Sequence, residues 1–250
     1  MSPLSPSIIN GIDSCVDVVV KKDKIVEKAV QQCKEQWEYL ANFSASETHM
    51  LYSSLNLPIF EPPKIDLVLQ SLLRIPCEKT CDIGIYISVL IQNSYDTGHN
   101  DFVLHTQNAP LDCLCAWIRG TESEPVKITV YGDTGISTGG RSEWCSVRQE
   151  GSAQDKYFQE SKNDEIFISG TASFFPLIRA YDVAFKTNNQ TTFDYVKKEI
   201  HERLNDLNFR PYNLHLALID AKGALIDSFP EADARSKTDA TDAISKNKRR

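Results

Sequence analysis

Positive charge is in short supply along this chain. Its 27 Lys and Arg face 34 Asp and Glu, for a formal net charge of -7. General nucleic-acid binding needs a basic face that releases counterions from phosphates, so that function class is excluded and any polyanion contact must be local. Long apolar runs are absent too: no stretch approaches the roughly 20 residues that a membrane-crossing helix requires. The opening residues Met1 to Ser7 lack a basic segment followed by an apolar core, which leads to the expectation of a soluble, unexported protein of the cytoplasm or nucleus.

Paired metal ligands are missing as well. The five histidines, His49, His99, His105, His201 and His215, never stand at i,i+4 or in an H-x-H arrangement. Cys77-x-x-x-Cys81 and Cys113-x-Cys115 supply four thiols without the spacing of zinc knuckles, and alternation places Cys113 and Cys115 beside Trp117 on one strand face, where free cysteine packs as a small hydrophobe. The expectation is therefore no metal and no cofactor. Seven cysteines make an odd number and argue for reduced thiols over a disulfide framework. By the same logic the glycosylation-type triplets at Asn42 and Asn189 are expected to be unmodified.

What is present is an ordinary globular composition, 41% hydrophobic and 24% charged, enough to bury a sizeable core. The first 80 residues read as a helical section. Asp23 precedes a 3,4-spaced stripe of Val26, Ala29, Val30, Cys33, Trp37 and Leu40 with charged residues on the other faces. A short helix after Ser46, with Glu47 as its partner, and another through Ile65, Val68, Leu69, Leu72 and Leu73 follow, separated by Pro58, Pro62 and Pro63.

Residues 81–230 read as a β-rich domain sharing one core with that section. From Cys81 to Ile91 the apolar residues Ile83, Ile85, Ile87, Val89 and Ile91 alternate, which predicts a central strand. Further strands are expected at Phe102 to Thr106, Cys113 to Ile118, Val126 to Tyr131, Ile166 to Ser169 and Leu177 to Lys186. Short strands without long intervening helices point to a mainly antiparallel sheet in an α+β protein. One late helix carries Phe193, Val196, Ile200, Leu204 and Leu207 behind a Thr191–Asp194 capping pattern, and a hairpin closes through Asp220 to Gly223. Residues 231–250 contain one large apolar side chain, Ile244, and are expected to be a disordered tail.

The stretch richest in chemical signals is Gly132 to Ser142. Gly135-Ile136-Ser137-Thr138-Gly139 matches a serine-nucleophile turn, with His215 downstream as a candidate base; Gly135 to Ser142 also matches a phosphate loop with Arg141 in the lysine position. Gly135, Gly139, Gly140, Arg141 and Ser142 are thus the candidate ligand-binding residues, and Ser137 and His215 the catalytic ones. Against both, guanidinium is planar where the phosphate loop wants a point charge, and the nucleophile elbow wants a helix after Gly139 and an oxyanion loop upstream. The expected function is a non-enzymatic interaction or assembly protein presenting a sheet surface or loops to a macromolecular partner. A serine hydrolase or phosphate-binding enzyme is the alternative, and a lipid-surface or pore-forming protein the third. Lys246, Lys248, Arg249 and Arg250 are the candidate contacts to an anionic surface.

Overall fold

The computed structural model describes residues 23–37, 39–76, 80–172, 179–203 and 213–229. Its first part is helical. Asp23 caps α1 (Lys24–Trp37), its carboxylate accepting from the Ile25 and Val26 amides, and Val26, Ala29 and Cys33 are buried on one face. A 3-10 turn (Tyr39–Asn42) leads to α2 (Ala45–Ser54). The cap of α2 is Ser44 and not Ser46: its side chain and that of Glu47 satisfy each other's backbone amides in a capping box. Prolines at its first turn open α3 (Pro62–Leu73), which buries Ile65, Val68, Leu69 and Leu72.

Cys81 to Ile91 is not a strand. It lies within helix α4 (Thr80–Tyr95), where every residue from Asp82 to Ile91 is buried. Odd-position alternation of Ile and Val is a strand signal only where the even positions face water. Here the even positions Gly84, Tyr86, Ser88 and Leu90 are buried as well, so the helix is enclosed from Asp82 to Ile91. The Tyr86 hydroxyl donates to Ala29 O of α1, its ring meets Tyr52 of α2 edge-on at 5.0 Å, and the Ser88 hydroxyl donates to Gly84 O one turn earlier. Length also favoured the helix, since sixteen residues exceed an ordinary strand.

Among the described residues, seven strands follow in one sheet whose spatial order is the chain order: β1 (Asp101–Leu111), β2 (Val126–Thr134), β3 (Cys145–Glu150), β4 (Glu165–Ile168), β5 (Ala184–Thr187), β6 (His215–Ile219) and β7 (Leu225–Phe229). The first six run parallel and only β6–β7 is antiparallel. The mainly antiparallel expectation is thereby corrected, while the α+β class stands. Parallel neighbours consecutive in sequence require a crossover, which is a loop from β1 through β4 and contains a helix between β5 and β6. Register partners in β2 to β5 recur every 19 residues, as in Val126 with Cys145 and Glu165 with Ala184. Two further bridge ladders stack at the same interval, Thr134–Ala153–Ala172 and Glu143–Lys162–Tyr181. Each turn of chain thus lies on the one before it, and the whole is a short β-solenoid, in which every coil buries its apolar side chains against its neighbours.

Between the strand and the next coil the backbone turns through alternating left-handed residues: Cys113, Cys115 and Trp117 in the first corner, Ser137, Gly139 and Arg141 in the second, Lys156, Phe158 and Glu160 in the third. The segment Cys113 to Ile118, expected as a strand, is this first corner. The strand expected over Leu177 to Lys186 is confined, among the described residues, to β5. Inside the coils, Leu114, Val126, Ile128, Val130, Tyr157, Phe158, Ile166, Ile168 and Phe185 form one core with the helical section.

The first edge of the sheet is covered by a helix, and a second helix is inserted near the other end. At the first edge, α3 lies along β1; Asp66 Oδ1 accepts from the His105 amide and Gln70 Nε2 donates to His105 O, so the exposed edge groups of that residue are satisfied. Toward the other end, helix α5 (Gln190–Arg203) is inserted between β5 and β6, burying Phe193, Val196 and Ile200. Its first turn is capped by Asn189, which accepts from the Thr192 amide, and not by Thr191. Leu204 and Leu207 lie outside the described residues, as do the tail 231–250 and its basic end. The β6–β7 hairpin turns at Asp220 to Gly223 with Gly223 at φ +84°, as its sequence indicates. Among the described residues no helix is long and apolar enough to cross a membrane.

Candidate functional site

The glycine-rich run forms the corner of the second coil, and its polar groups are spoken for by the coils on either side. Gly135 N donates to Leu111 O and Gly139 N to Leu114 O in the preceding coil; Ser137 N donates to Asp155 O and Arg141 N to Gln159 O in the following one. Gly140 N and Ser142 N close turns onto Ser137 O and Gly139 O. A phosphate cradle works by aiming free amides at its ligand, whereas these amides are the rungs that stack the coils. Gly139 sits on the Phe158 ring, where an added Cβ would lie 2.5 Å from the nearest ring carbon. Its presence is thus explained by close packing as well as by its φ of +66°.

Arg141 points outward from the corner. Its Nε donates to Glu160 Oε2 at 2.8 Å, and Glu160 also faces Arg179 Nη1 at 3.5 Å, an ion-pair ladder on stacked corners. More than half exposed, these cations gain little stability from it. Ser142 turns inward, its hydroxyl oxygen 2.6 Å from Gly139 O and 2.5 Å from the buried Asp164 carboxyl group. Desolvation pushes Asp164 up to about 7, against the pull of its two donors, the Ser142 hydroxyl and the Cys145 amide.

Ser137 opens onto a cavity of about 180 Å3 that also meets Ser46, Cys113, Trp117, Arg141 and Gln159. His215 does not line it. That residue is exposed on β6, four strand spacings from β2, on the order of 19 Å, and borders a separate hollow with Asp182, Asn213 and Glu165. The fold therefore does not bring the two catalytic candidates together. His49 is stacked on Trp117 of the first corner at 5.0 Å, and burial together with the Arg119 charge holds its ring below the ordinary imidazole range.

The residues that sequence reasoning missed lie on the outward face of the sheet. Register aligns Val103, Thr129, Arg148, Phe167, Lys186 and Ala217 in one row across β1 to β6. Arg148 lies over the Phe167 ring at 4.3 Å from its centroid, and in the adjoining row His105 stacks on Tyr131 at 5.3 Å. The hairpin tip, with Gly223 and Leu225, bounds a groove with Arg148, Phe167 and Lys186 at one end of this face. The row is invisible without the stacking interval, although a signal for that interval exists: Gly132, Gly151 and Gly170 recur every 19 residues, each followed two positions on by Thr or Ala. An added Cβ on Gly151 would lie 2.2 Å from Gly132 O, and one on Gly170 2.4 Å from Gly151 O, so glycine is required where the coils touch.

Neither family models, nor curated proteins, nor solved structures give a significant match to this chain. The structure itself defines the class: a helix-capped β-solenoid in the α+β range, with an outward sheet face of mixed aromatic and charged character.

Proposed function

We propose that this protein works without catalysis, as an interaction or assembly protein that presents the outward face of its sheet to a macromolecular partner. The observation that carries the reading is the row Val103, Thr129, Arg148, Phe167, Lys186, Ala217, which runs over successive coils of hydrogen-bonded strands. Aromatic rings and arginine are the side chains that interfaces favour, because they offer large contact area with few rotors to immobilise. Here they are already ordered by stacking, with Tyr131 47% and Val103 41% exposed. Solenoids use faces of this kind for binding, since stacked coils make an extended surface.

The geometry of the corner supports the same side of the choice. A hydrolase needs a base within hydrogen-bonding reach of its serine, and His215 lies on a distant strand. An anionic contact through Lys246, Lys248, Arg249 and Arg250 is a separate proposal, made on charge alone.

A photocrosslinking residue placed at Thr129 or Lys186, with Glu122 on the loop before β2 as control, tests the reading in cells that express the protein. The expected result is one discrete adduct from the face positions and none from Glu122. Equal labelling from all three positions, together with a monomer at every concentration in sedimentation, would count against it.

A further inference from the structure

We propose that Cys81 and Cys113 form a reversible disulfide, a redox-sensitive modification site that pins α4 to the first corner of the solenoid. The two sulfurs lie 2.8 Å apart as free thiols, and a disulfide requires about 2.05 Å, so closure asks for a shift of less than about 1 Å. The surrounding backbone holds them in that position. Thr80, the residue before Cys81, donates its hydroxyl to Asp112 Oδ2 at 2.8 Å, and Asp112 precedes Cys113. One turn further along α4, Gly84 packs so closely on the corner that an added Cβ would lie 2.0 Å from Asp112 O and 2.9 Å from Leu114 N. The Ser88 hydroxyl reaches Cys113 O at 3.4 Å. Helix and corner are thus locked on both sides of the sulfur pair, and the pair is set by backbone packing more than by side-chain rotation.

Access divides the labour between the two sulfurs. Cys81 is half-buried and reachable, whereas Cys113 is 5% exposed, with its thiol pushed up by the hydrogen bond to Cys81 and by burial. Cys33, Cys115 and Cys145 are buried at 0%, 1% and 2%, out of reach of an oxidant in solvent. With a low-molecular-weight disulfide as the oxidant, the Cys81 thiolate attacks one of its sulfurs and releases the first small thiolate. Cys113 then gives up its proton and attacks Cys81 Sγ, breaking the mixed disulfide and releasing the second. Two protein thiols become one disulfide, one small disulfide becomes two thiols, and the two protein protons end on those thiols.

The test uses the full chain with oxidised glutathione, followed by alkylation, digestion without reductant and mass spectrometry. The expected product is a peptide pair joined through Cys81 and Cys113, with Cys115 and Cys145 alkylated only after unfolding. Closing this loop should raise the thermal midpoint by roughly 5–10 °C, reversed by dithiothreitol. Neither effect should survive in Cys81→Ser, and both should persist in Cys115→Ser. Glutathione retained on Cys81, a bond from Cys77 to either sulfur, or unreacted thiols throughout would overturn the proposal, and these readings on the unaltered protein do not depend on any variant folding.

Discussion

The Ser142 hydroxyl donates to Asp164 Oδ2 across 2.5 Å, joining the corner of one coil to the first residues of the next, while the Cys145 amide donates to Oδ1 of the same carboxylate at 2.7 Å. Asp164 is 2% exposed, a carboxyl group buried at a point where two coils meet. Its carboxyl is held up at about 7 by burial, in spite of both donors.

That shift carries a pH dependence of definite sign. The folded value lies above the unfolded one, so between roughly pH 4 and 7 the native state binds more protons than the unfolded chain. The stability contributed by protonated Asp164 is therefore complete at the acid end of this window and lost as pH rises through about 7. Urea unfolding of the wild type and of Asp164→Asn at pH 5 and pH 8 checks it: the wild type should lose roughly 2–4 kcal/mol more than the variant over that interval. Equal losses would show that the carboxyl is ionised throughout.

Gly151→Ala should be severely destabilising, by about 3 kcal/mol or more, because the new methyl group would meet a backbone carbonyl that is itself held in the coil ladder. Gly98, with open space around it, is the comparison: Gly98→Ala should cost only the strain of its φ of +102°, on the order of 1 kcal/mol. Equal midpoint shifts for the two variants would mean that the coils do not touch at Gly151.

Within α4, Ile87→Ala and Leu90→Ala should each cost about 2–5 kcal/mol, since both side chains are fully buried. An alternating strand with a polar face would make the odd position costly and the even one cheap. Denaturant titration of the pair therefore distinguishes the enclosed helix from the strand suggested by alternation.

Ser137 should not react with a fluorophosphonate probe. It stands at φ +58° in a stacked corner, and His215 borders a different hollow. Labelling that disappears in Ser137→Ala and persists in Ser142→Ala would reverse the non-enzymatic reading and favour the hydrolase.

Legibility in the sequence followed the range of the forces involved. Caps and amphipathic stripes act within one or two turns of chain, so α1, α3, α5 and the closing hairpin could be read locally, with the caps of α2 and α5 misplaced by only two residues. The strand segments at Phe102, Val126 and Ile166 were visible for the same reason, through alternation against one buried face. The glycine-rich run was legible as a place of close approach, but what approaches it is the protein's own next coil.

What the amino-acid sequence determined by itself was local: where helices start, which faces are apolar, and which residues tolerate tight turns. Tertiary structure alone decided that α4 is a helix, because only the packing of α1 and α2 around Tyr86 and of the first corner against Gly84 gives its even positions somewhere to be buried. It also decided strand direction, since alternation is identical in parallel and antiparallel sheets and the difference lies in whether the chain returns by a hairpin or by a full coil. The outward row and the Cys81–Cys113 pair belong to that second level: the row is assembled by coil stacking, whose trace in the chain is the 19-residue glycine spacing, and the pair by helix docking, which no spacing encodes.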